Sequence, residues 1–322
     1  MWSFFRSLFI LSSQFFFIAP ALQLTIDHSC YLYPNFSPTA ALASAKSIGT
    51  ISKAWLTYYR DNYDQKDVDE ERLQIVEEGL AATFGLLSLR QPELEDWHRQ
   101  VIKDDIETII TVFDQTANNP PDDLDIRCNL DWLSEKHDGK SYKKDVAFHQ
   151  PDDGEVTLLA NRKRMTWLWS EIHQRWLRGL PKRELCQAHL GFAEKSKGNT
   201  RSYVQICPAA IERANQHSEL RQLRDQPEGV EFPRRSLDDV GETVASLLFH
   251  ELTHTNAKTR DETYVDQNGK TITAYRLARV KGLANRAQGE ARQDGKVVQQ
   301  GDPLRNADTF LYFGIGGYKV NS

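Results

Sequence analysis

Several features that mark other classes of protein are scarce or absent in this chain of 322 residues. Beyond the N-terminus no stretch is long and apolar enough to cross a bilayer, so we expect no membrane-spanning helix. The net charge is −5, which removes the electrostatic footprint that nucleic-acid binding requires. No internal repeat or low-complexity tract occurs. With an apolar fraction of 40 %, the composition is that of an ordinary soluble globular protein.

Cysteine is also scarce, and none of it forms a Cys-x-x-Cys metal knuckle, which argues against a zinc site built on cysteine. The four residues are Cys30, Cys128, Cys186 and Cys207. An even number of cysteines in a secreted chain predicts two disulfides, for which three pairings are possible.

The N-terminus resembles a secretory signal peptide over residues 1–21. Arg6 precedes an apolar run from Leu8 to Ile18, and Ala19-Pro20-Ala21 is a small-x-small cleavage pattern. An uncleaved membrane anchor is the alternative, which the short and interrupted apolar run disfavours. Cleavage would leave 39 basic and 45 acidic residues, a net charge of −6. We therefore expect a secreted, extracellular protein, and we take a monomer as the default.

The residues His250-Glu251-Leu252-Thr253-His254 form the pattern His-Glu-x-x-His. On a helix this spacing sets two imidazoles on one face, where both can ligate one zinc ion while the adjacent carboxylate acts on a zinc-bound water. Apolar residues recur three or four apart along this stretch, at Leu237, Val240, Val244, Leu247, Leu248 and Leu252. We therefore expect one helix from about Leu237 to Thr255, with Ser236 as its N-cap.

A catalytic zinc site needs a third protein ligand. A metzincin would carry glycine and then histidine shortly after the second ligand, but Ala257 and Arg260 stand at those positions and exclude that class. A thermolysin-like enzyme would use a glutamate from a following helix. The downstream glutamates are Glu262 and Glu290, and Glu290 lies in a glycine-containing segment typical of a loop.

Two aspartates remain as candidates, Asp261 and Asp266. Asp266 belongs to the run 264–273, in which Asn268-Gly269 between β-prone residues predicts a tight hairpin. This turn offers Asp266 a structural explanation. Asp261 precedes the hairpin, where the chain would turn back under the metal, so we expect Asp261 to be the ligand and keep Asp266 as the alternative.

The rest of the chain predicts an α+β fold that is mostly helical with a small sheet. Apolar periodicity predicts helices at 39–62, 68–86 and 92–114. A polar, proline-containing run at 116–123 predicts a break. Strand-like runs follow at 124–130, 146–149, 156–160 and 202–207. A stretch with Trp167, Trp169 and Trp176 has helical spacing, and we expect these tryptophans in the core.

We expect one continuous domain over 22–322 rather than two independent ones. Its helical N-terminal half would span 22–117 and its catalytic half 124–322. The reason is that Cys30 and Cys128 flank the helical half.

About the last 120 residues resemble the deuterolysin-type zinc endopeptidases, or aspzincins, which include fungal secreted lysine-specific enzymes. Their motif is His-Glu-x-x-His followed by Gly-Thr-x-Asp-x-x-Tyr-Gly, and this chain has Thr259-Arg260-Asp261-Glu262-Thr263-Tyr264. The segment 275–284 and the triplet Asn306-Ala307-Asp308 with Tyr312-Phe313 are similar to the family's last two helices. The helical N-terminal half resembles the family only loosely.

The chain departs from the family motif at its glycines. Lys258 stands where the family has glycine, and Val265 or Arg276 stands where glycine should follow the tyrosine. An inserted hairpin over 262–274 would explain this, separating Asp261 from a catalytic Tyr275. Tyr264 is then the alternative tyrosine.

The resemblance implies a zincin-like metalloprotease that holds one Zn²⁺ and hydrolyses protein or peptide substrates. The implied zinc ligands are His250, His254 and Asp261. Glu251 would be the general base, and Tyr275 or else Tyr264 would donate a hydrogen bond to the oxyanion.

By the same likeness the disulfides would be Cys30–Cys128 and Cys186–Cys207. The alternative function is a secreted, non-catalytic zinc-binding protein, a zinc scavenger or surface antigen on the same fold. Glu251 is retained after the first histidine, and this favours an enzyme.

Overall fold

A computed structural model describes residues 24–118, 123–141, 166–171, 174–179, 181–188, 190–195, 201–216, 237–241, 243–286, 291–293, 296–298 and 301–321. Several sequence predictions lie outside these residues: the signal peptide 1–21, the strand runs 146–149 and 156–160, the N-cap Ser236 and the loop residue Glu290. The described part combines helices with small sheets, which is compatible with the predicted α+β class.

Three long helices make up the N-terminal half, as predicted. They are α1 (Pro38–Asn62), α2 (Glu70–Phe84) and α3 (Asp96–Asn118). Helix α1 begins where the Ser37 side chain accepts a hydrogen bond from the Ala40 N–H. Helix α2 ends at Gly85 in the left-handed conformation, with φ of 70°. Helix α3 continues past its predicted end at 114, because Thr116 and Ala117 are buried in its last turn.

Strands and shorter helices make up the rest of the described chain. The strands are β1 (Leu24–Ile26), β2 (Asp123–Arg127), β3 (Leu133–Ser134), β4 (Thr166–Ser170), β5 (Arg175–Gly179), β6 (Gly191–Lys195), β7 (Arg201–Ile206), β8 (Thr263–Val265), β9 (Thr271–Thr273), β10 (Ala291–Gln293) and β11 (Lys296–Val298). The helices are α4 (Lys182–Ala188), α5 (Pro208–Gln216), α6 (Leu237–Gly241), α7 (Val244–Ala257), α8 (Leu277–Arg286) and α9 (Ala307–Asn321). No helix among the described residues has the length and apolar character of a bilayer span.

The main sheet has the strand order β1-β2-β7-β6, in which β1, β2 and β7 are parallel and β6 is antiparallel. Its fully buried residues Ile126, Val204 and Ile206 join the main core with the helices. The predicted strands 124–130 and 202–207 correspond to β2 and β7.

Two disulfides hold this sheet to its surroundings. Cys30 pairs with Cys128, which joins the turn after β1 to the end of β2. Cys186 pairs with Cys207, which joins α4 to the end of β7. This confirms the pairing that the family resemblance implied.

The tryptophan-rich stretch is strand, and the prediction of helical spacing was wrong. Trp167 and Trp169 lie in β4, and Trp176 lies opposite Trp169 in the antiparallel β5. The two-residue spacing of Trp167 and Trp169 is that of one face of a strand. Trp169 and Trp176 are buried with ring centroids 5.7 Å apart, which confirms their predicted core position, whereas Trp167 is half-buried.

The predicted single helix over 237–255 was also wrong, because it is divided into α6 and α7. Thr243 takes an extended backbone conformation, with φ of −70° and ψ of 156°, and its hydroxyl accepts a hydrogen bond from the Ser246 N–H. Thr243 is therefore the N-cap of a new helix. The His-Glu-x-x-His pattern lies entirely on α7.

Helix α7 runs through the centre of the fold, between α1, α3 and α9. Phe249 stacks on Phe113 of α3 with ring centroids 5.9 Å apart, and Phe113 in turn packs edge-on against Phe310 of α9. Leu248 and Leu252 are also buried. This packing fixes the rotation of α7 about its axis and therefore the direction of its polar side chains.

The Asn-Gly hairpin occurs as predicted, with β8 and β9 paired from Thr263↔Thr273 to Val265↔Thr271. Gly269 has a φ of 77°, a left-handed conformation that glycine adopts without strain. The hairpin therefore separates residue 261 from residue 275 in sequence while its two strands bring both ends of the hairpin together.

Candidate metal centre

His250 and His254 lie one helical turn apart on the polar side of α7. Their rings are perpendicular, with centroids 4.7 Å apart. The side chains are 10 % and 18 % exposed, respectively. The four-residue spacing of the pattern therefore places both imidazoles at one point near the surface.

A tight turn after α7 brings the chain back beneath these histidines. Lys258 ends the helix with a left-handed φ of 58°, and its N–H donates to the Thr253 carbonyl. The hydroxyls of Thr253 and Thr259 are 2.8 Å apart. Arg260 then runs beside Asn306 in a parallel bridge. The next residue, Asp261, faces the two imidazoles.

The ligand atoms of His250, His254 and Asp261 form a nearly regular triangle. The two Nε2 atoms are 3.1 Å apart, and Asp261 Oδ1 lies 3.4 Å from His250 Nε2 and 3.3 Å from His254 Nε2. Ligands in a tetrahedral zinc site, about 2.0 to 2.1 Å from the metal, are about 3.3 to 3.4 Å from one another. The residues present therefore fit a metal ion, and among the described residues this is the group of three such side chains that could hold one.

The other nitrogen of each ring has its own acceptor. His250 Nδ1 lies 2.6 Å from Asp308 Oδ1, and His254 Nδ1 lies 3.0 Å from the Thr259 carbonyl oxygen. An acceptor at Nδ1 stabilises the tautomer whose Nε2 carries the free lone pair, and it fixes the orientation of the ring. In the neutral form of each ring, the Nε2 lone pair is therefore directed at the triangle.

Asp308 follows His250 by 58 positions, and no sequence pattern assigns it a role in the site. As an acid in the first turn of a helix it has an ordinary helix-dipole explanation. Its second oxygen, Oδ2, accepts a hydrogen bond of 2.8 Å from the Arg276 N–H. One carboxylate thus orients His250 and holds the backbone next to Tyr275.

The fold brings Tyr275 to the cluster and directs Tyr264 elsewhere. The Tyr275 hydroxyl donates a hydrogen bond of 2.7 Å to Asp261 Oδ2, the oxygen that does not face the histidines. The Tyr264 hydroxyl lies against α8, where a methyl group added at Gly282 would be 2.4 Å from its oxygen. Of the two predicted tyrosines, Tyr275 is therefore the one beside the candidate ligands.

The two candidate aspartates are also separated. Asp266 lies in the hairpin turn, where its Oδ1 accepts hydrogen bonds from the N–H groups of Asn268 and Lys270. These backbone hydrogen bonds lower the pKa of Asp266. Asp266 therefore stabilises the hairpin turn, and Asp261 occupies the third corner of the triangle.

The charges of the cluster are strongly coupled. Burial favours the neutral form of Asp261, but hydrogen bonds and charge from His250 and His254 outweigh it and hold the pKa of Asp261 well below its usual range. Burial of His250 opposes its charged form, but Asp308 and Asp261 raise the pKa of His250 well above its usual value. The site therefore contains an ionised carboxylate that stabilises positive charge on the neighbouring imidazole.

Glu251 lies beside this cluster and is 4 % exposed. Burial raises the pKa of Glu251, and the nearby histidines reduce this effect. No group in the described part of the chain donates a hydrogen bond to its carboxylate. Burial, followed by the charge of Asp261, raises the pKa of the Tyr275 hydroxyl, which therefore keeps its proton. The site thus combines a candidate base with a candidate hydrogen-bond donor.

These observations define a helix-borne His-Glu-x-x-His site that an aspartate completes and that could hold a metal ion. Comparisons of the chain with family models, with curated proteins and with solved structures found no match. The interpretation of the site therefore depends on the geometry of its own residues.

Proposed function

We propose that the protein is a secreted zinc endopeptidase of the aspzincin type. The observation that carries the proposal is the triangle of His250, His254 and Asp261, with Glu251 and Tyr275 beside it. Two imidazoles and one carboxylate are a donor set that suits zinc in a catalytic site, since three protein ligands leave a fourth position open.

The chemistry divides between the metal and two side chains, Glu251 and Tyr275. When bound, zinc acts as a Lewis acid on water and on the substrate carbonyl. Glu251 accepts the proton of the attacking water and later delivers it to the leaving amine, and its raised pKa brings it closer to the pKa of an effective acid–base group. Tyr275 keeps its proton, and in the reaction its hydroxyl turns from Asp261 Oδ2, its acceptor in the structure, to donate a hydrogen bond to the oxyanion of the tetrahedral intermediate.

The backbone conformation at the two positions where the family has glycine supports the aspzincin assignment. Lys258 and Arg276 stand at these positions, and both have a left-handed backbone, with φ of 58° and 71°. Glycine adopts this conformation without strain, whereas other residues do so at a cost. The backbone path that glycine would suit is thus retained. This also supports alignment of the family tyrosine with Tyr275, because Arg276 follows it.

The proposed extracellular location has two supports. The N-terminal residues have the charge and apolar pattern of a signal peptide. The two disulfides, Cys30–Cys128 and Cys186–Cys207, are typical of proteins that fold in an oxidising compartment.

The test combines metal content with proteolysis. The purified protein is assayed for bound metals and for cleavage of casein, then assayed again after chelation and after zinc is restored. We expect about one zinc per chain and cleavage that chelation abolishes. Glu251→Gln should bind zinc as the wild type does but lose cleavage, since the amide cannot accept the proton. Zinc without cleavage of any protein tried would indicate the non-catalytic zinc-binding protein instead.

A further inference from the structure

Asn306 occupies an unusual position at the start of α9. Its backbone is extended, with φ of −87° and ψ of 121°, and the helix begins at the next residue. An asparagine at such an N-cap ordinarily directs its side-chain oxygen to an N–H in the first turn of its own helix. Here Oδ1 instead accepts a hydrogen bond of 3.1 Å from the N–H of Glu262, on a different segment. Asn306 is 1 % exposed, so water does not compete for this contact.

The nitrogen of the same amide reaches the residue that follows β9, at the end of the hairpin. Asn306 Nδ2 donates to the Ala274 carbonyl oxygen at 3.4 Å and to Thr309 Oγ1 at 3.0 Å. Glu262 and Ala274 are themselves joined, since the Ala274 N–H donates to the Glu262 carbonyl at 2.9 Å. A single buried amide therefore bonds the residue just before β8 and the residue just after β9, where the hairpin begins and ends.

These two attachment points are next to the functional groups of the site. Glu262 follows Asp261, and Ala274 precedes Tyr275. Asp261 and Tyr275 are 14 residues apart in sequence, and their 2.7 Å hydrogen bond depends on how closely the base of the hairpin is held together. We propose that Asn306 is a positioning residue that sets the contact between Tyr275 and Asp261 and thereby the placement of the third metal ligand. The inference rests on the proposed zinc site.

Substitution of Asn306 should leave the chain path intact. The backbone bonds that hold residue 260 beside 305–307 do not involve its side chain: the Arg260 N–H donates to the Arg305 carbonyl at 2.6 Å, and the Ala307 N–H donates to the Arg260 carbonyl at 2.9 Å. The variant Asn306→Ala therefore keeps the bridge that returns the chain to the histidines. It loses the side-chain bonds across the base of the hairpin.

The test measures zinc affinity by competition with a chromophoric chelator, which needs no substrate. The proteins are the wild type, Asn306→Ala, Tyr275→Phe and the double variant. Asn306→Ala should weaken zinc binding about 10- to 100-fold, the range typical of residues that orient ligands. In the Tyr275→Phe background the same change should have a smaller effect, because the contact that Asn306 sets is already absent. Asn306→Asp, which keeps an acceptor for Glu262 but loses the donor to Ala274, should show an intermediate loss and carries the test if Asn306→Ala does not fold.

Asn256→Ala is the matched control. Asn256 is another buried asparagine, and its amide donates to the carbonyls of Gln115 and Thr116, both at 3.3 Å. Its replacement should lower the melting temperature to a similar extent without changing zinc affinity. Wild-type zinc affinity in Asn306→Ala would overturn the inference, and so would losses that multiply in the double variant. Absence of zinc binding by the wild type would overturn the proposed function itself and the inference with it.

Discussion

Replacing Asp308 by asparagine tests whether this carboxylate orients the candidate metal ligands. The change keeps the size of the side chain but removes its charge and one of its two acceptor oxygens. The carboxylate now accepts from His250 Nδ1 at 2.6 Å and from the Arg276 N–H at 2.8 Å. The amide can accept only one of these hydrogen bonds and presents a donor to the other N–H. Either the imidazole or the backbone beside Tyr275 therefore loses its partner.

The expected consequence is weaker zinc binding. Loss of a carboxylate that supports a metal-ligating histidine typically reduces metal affinity about 10- to 100-fold, which is about 1.4 to 2.8 kcal/mol. Chelator competition at one pH, with the apoprotein unfolded in urea alongside, separates affinity from stability. Asp302→Asn is the matched control, since Asp302 is an exposed acid that accepts from the Leu304 N–H. Zinc affinity of Asp308→Asn within about twofold of wild type would refute the argument, because orientation by Asp308 predicts a tenfold loss at least.

Three further predictions concern stability. Lys258→Gly should raise the free energy of unfolding of the apoprotein by about 0.5 to 1 kcal/mol, because glycine relieves the left-handed φ of 58°; an unchanged or lower urea midpoint would contradict this. Burial raises the pKa of Tyr59 to about 12, so stability present below pH 10 should fall by about 2 to 3 kcal/mol between pH 10 and 12. Urea titrations should show a shallower loss in Tyr59→Phe, and an equal loss would exclude Tyr59 as its source. Replacing Cys30 and Cys128 together by alanine should cost about 4 to 5 kcal/mol, because their disulfide closes a loop of 98 residues; a urea-derived loss below about 2 kcal/mol would contradict the loop-entropy argument.

Predictions from the sequence were accurate where the causes are local. The helices of the N-terminal half follow from apolar periodicity, and the hairpin follows from Asn268-Gly269, whose turn requires a conformation that glycine adopts freely. The four-residue spacing of His250 and His254 places both rings on one face of any helix that contains them. Each of these features depends on residues within one or two turns of chain.

Predictions from local patterns were wrong where a pattern was compatible with two structures and tertiary packing selected one of them. The spacing of the tryptophans in β4 and β5 is compatible with a helix or with strands. In the structure the two segments pair as antiparallel strands. The apolar stripe from Leu237 to Leu252 predicted one helix, but Thr243 caps a second one at its middle. Apolar periodicity indicates which residues are buried. It does not exclude a break in the helix where a side chain can cap a new helix.

The candidate site also combines features that local sequence sets with features that tertiary packing sets. The sequence by itself determined the pair of histidines, the adjacent Glu251 and two short lists of candidates, Asp261 or Asp266 and Tyr275 or Tyr264. Only the tertiary structure brought Asp261 and Tyr275, rather than Asp266 and Tyr264, beside the histidines, and only it placed Asp308 and Asn306 there, which follow α7 by about 50 residues. The physical reason is that helical spacing sets the histidines, whereas the other groups are placed by hydrogen bonds between segments far apart in the chain.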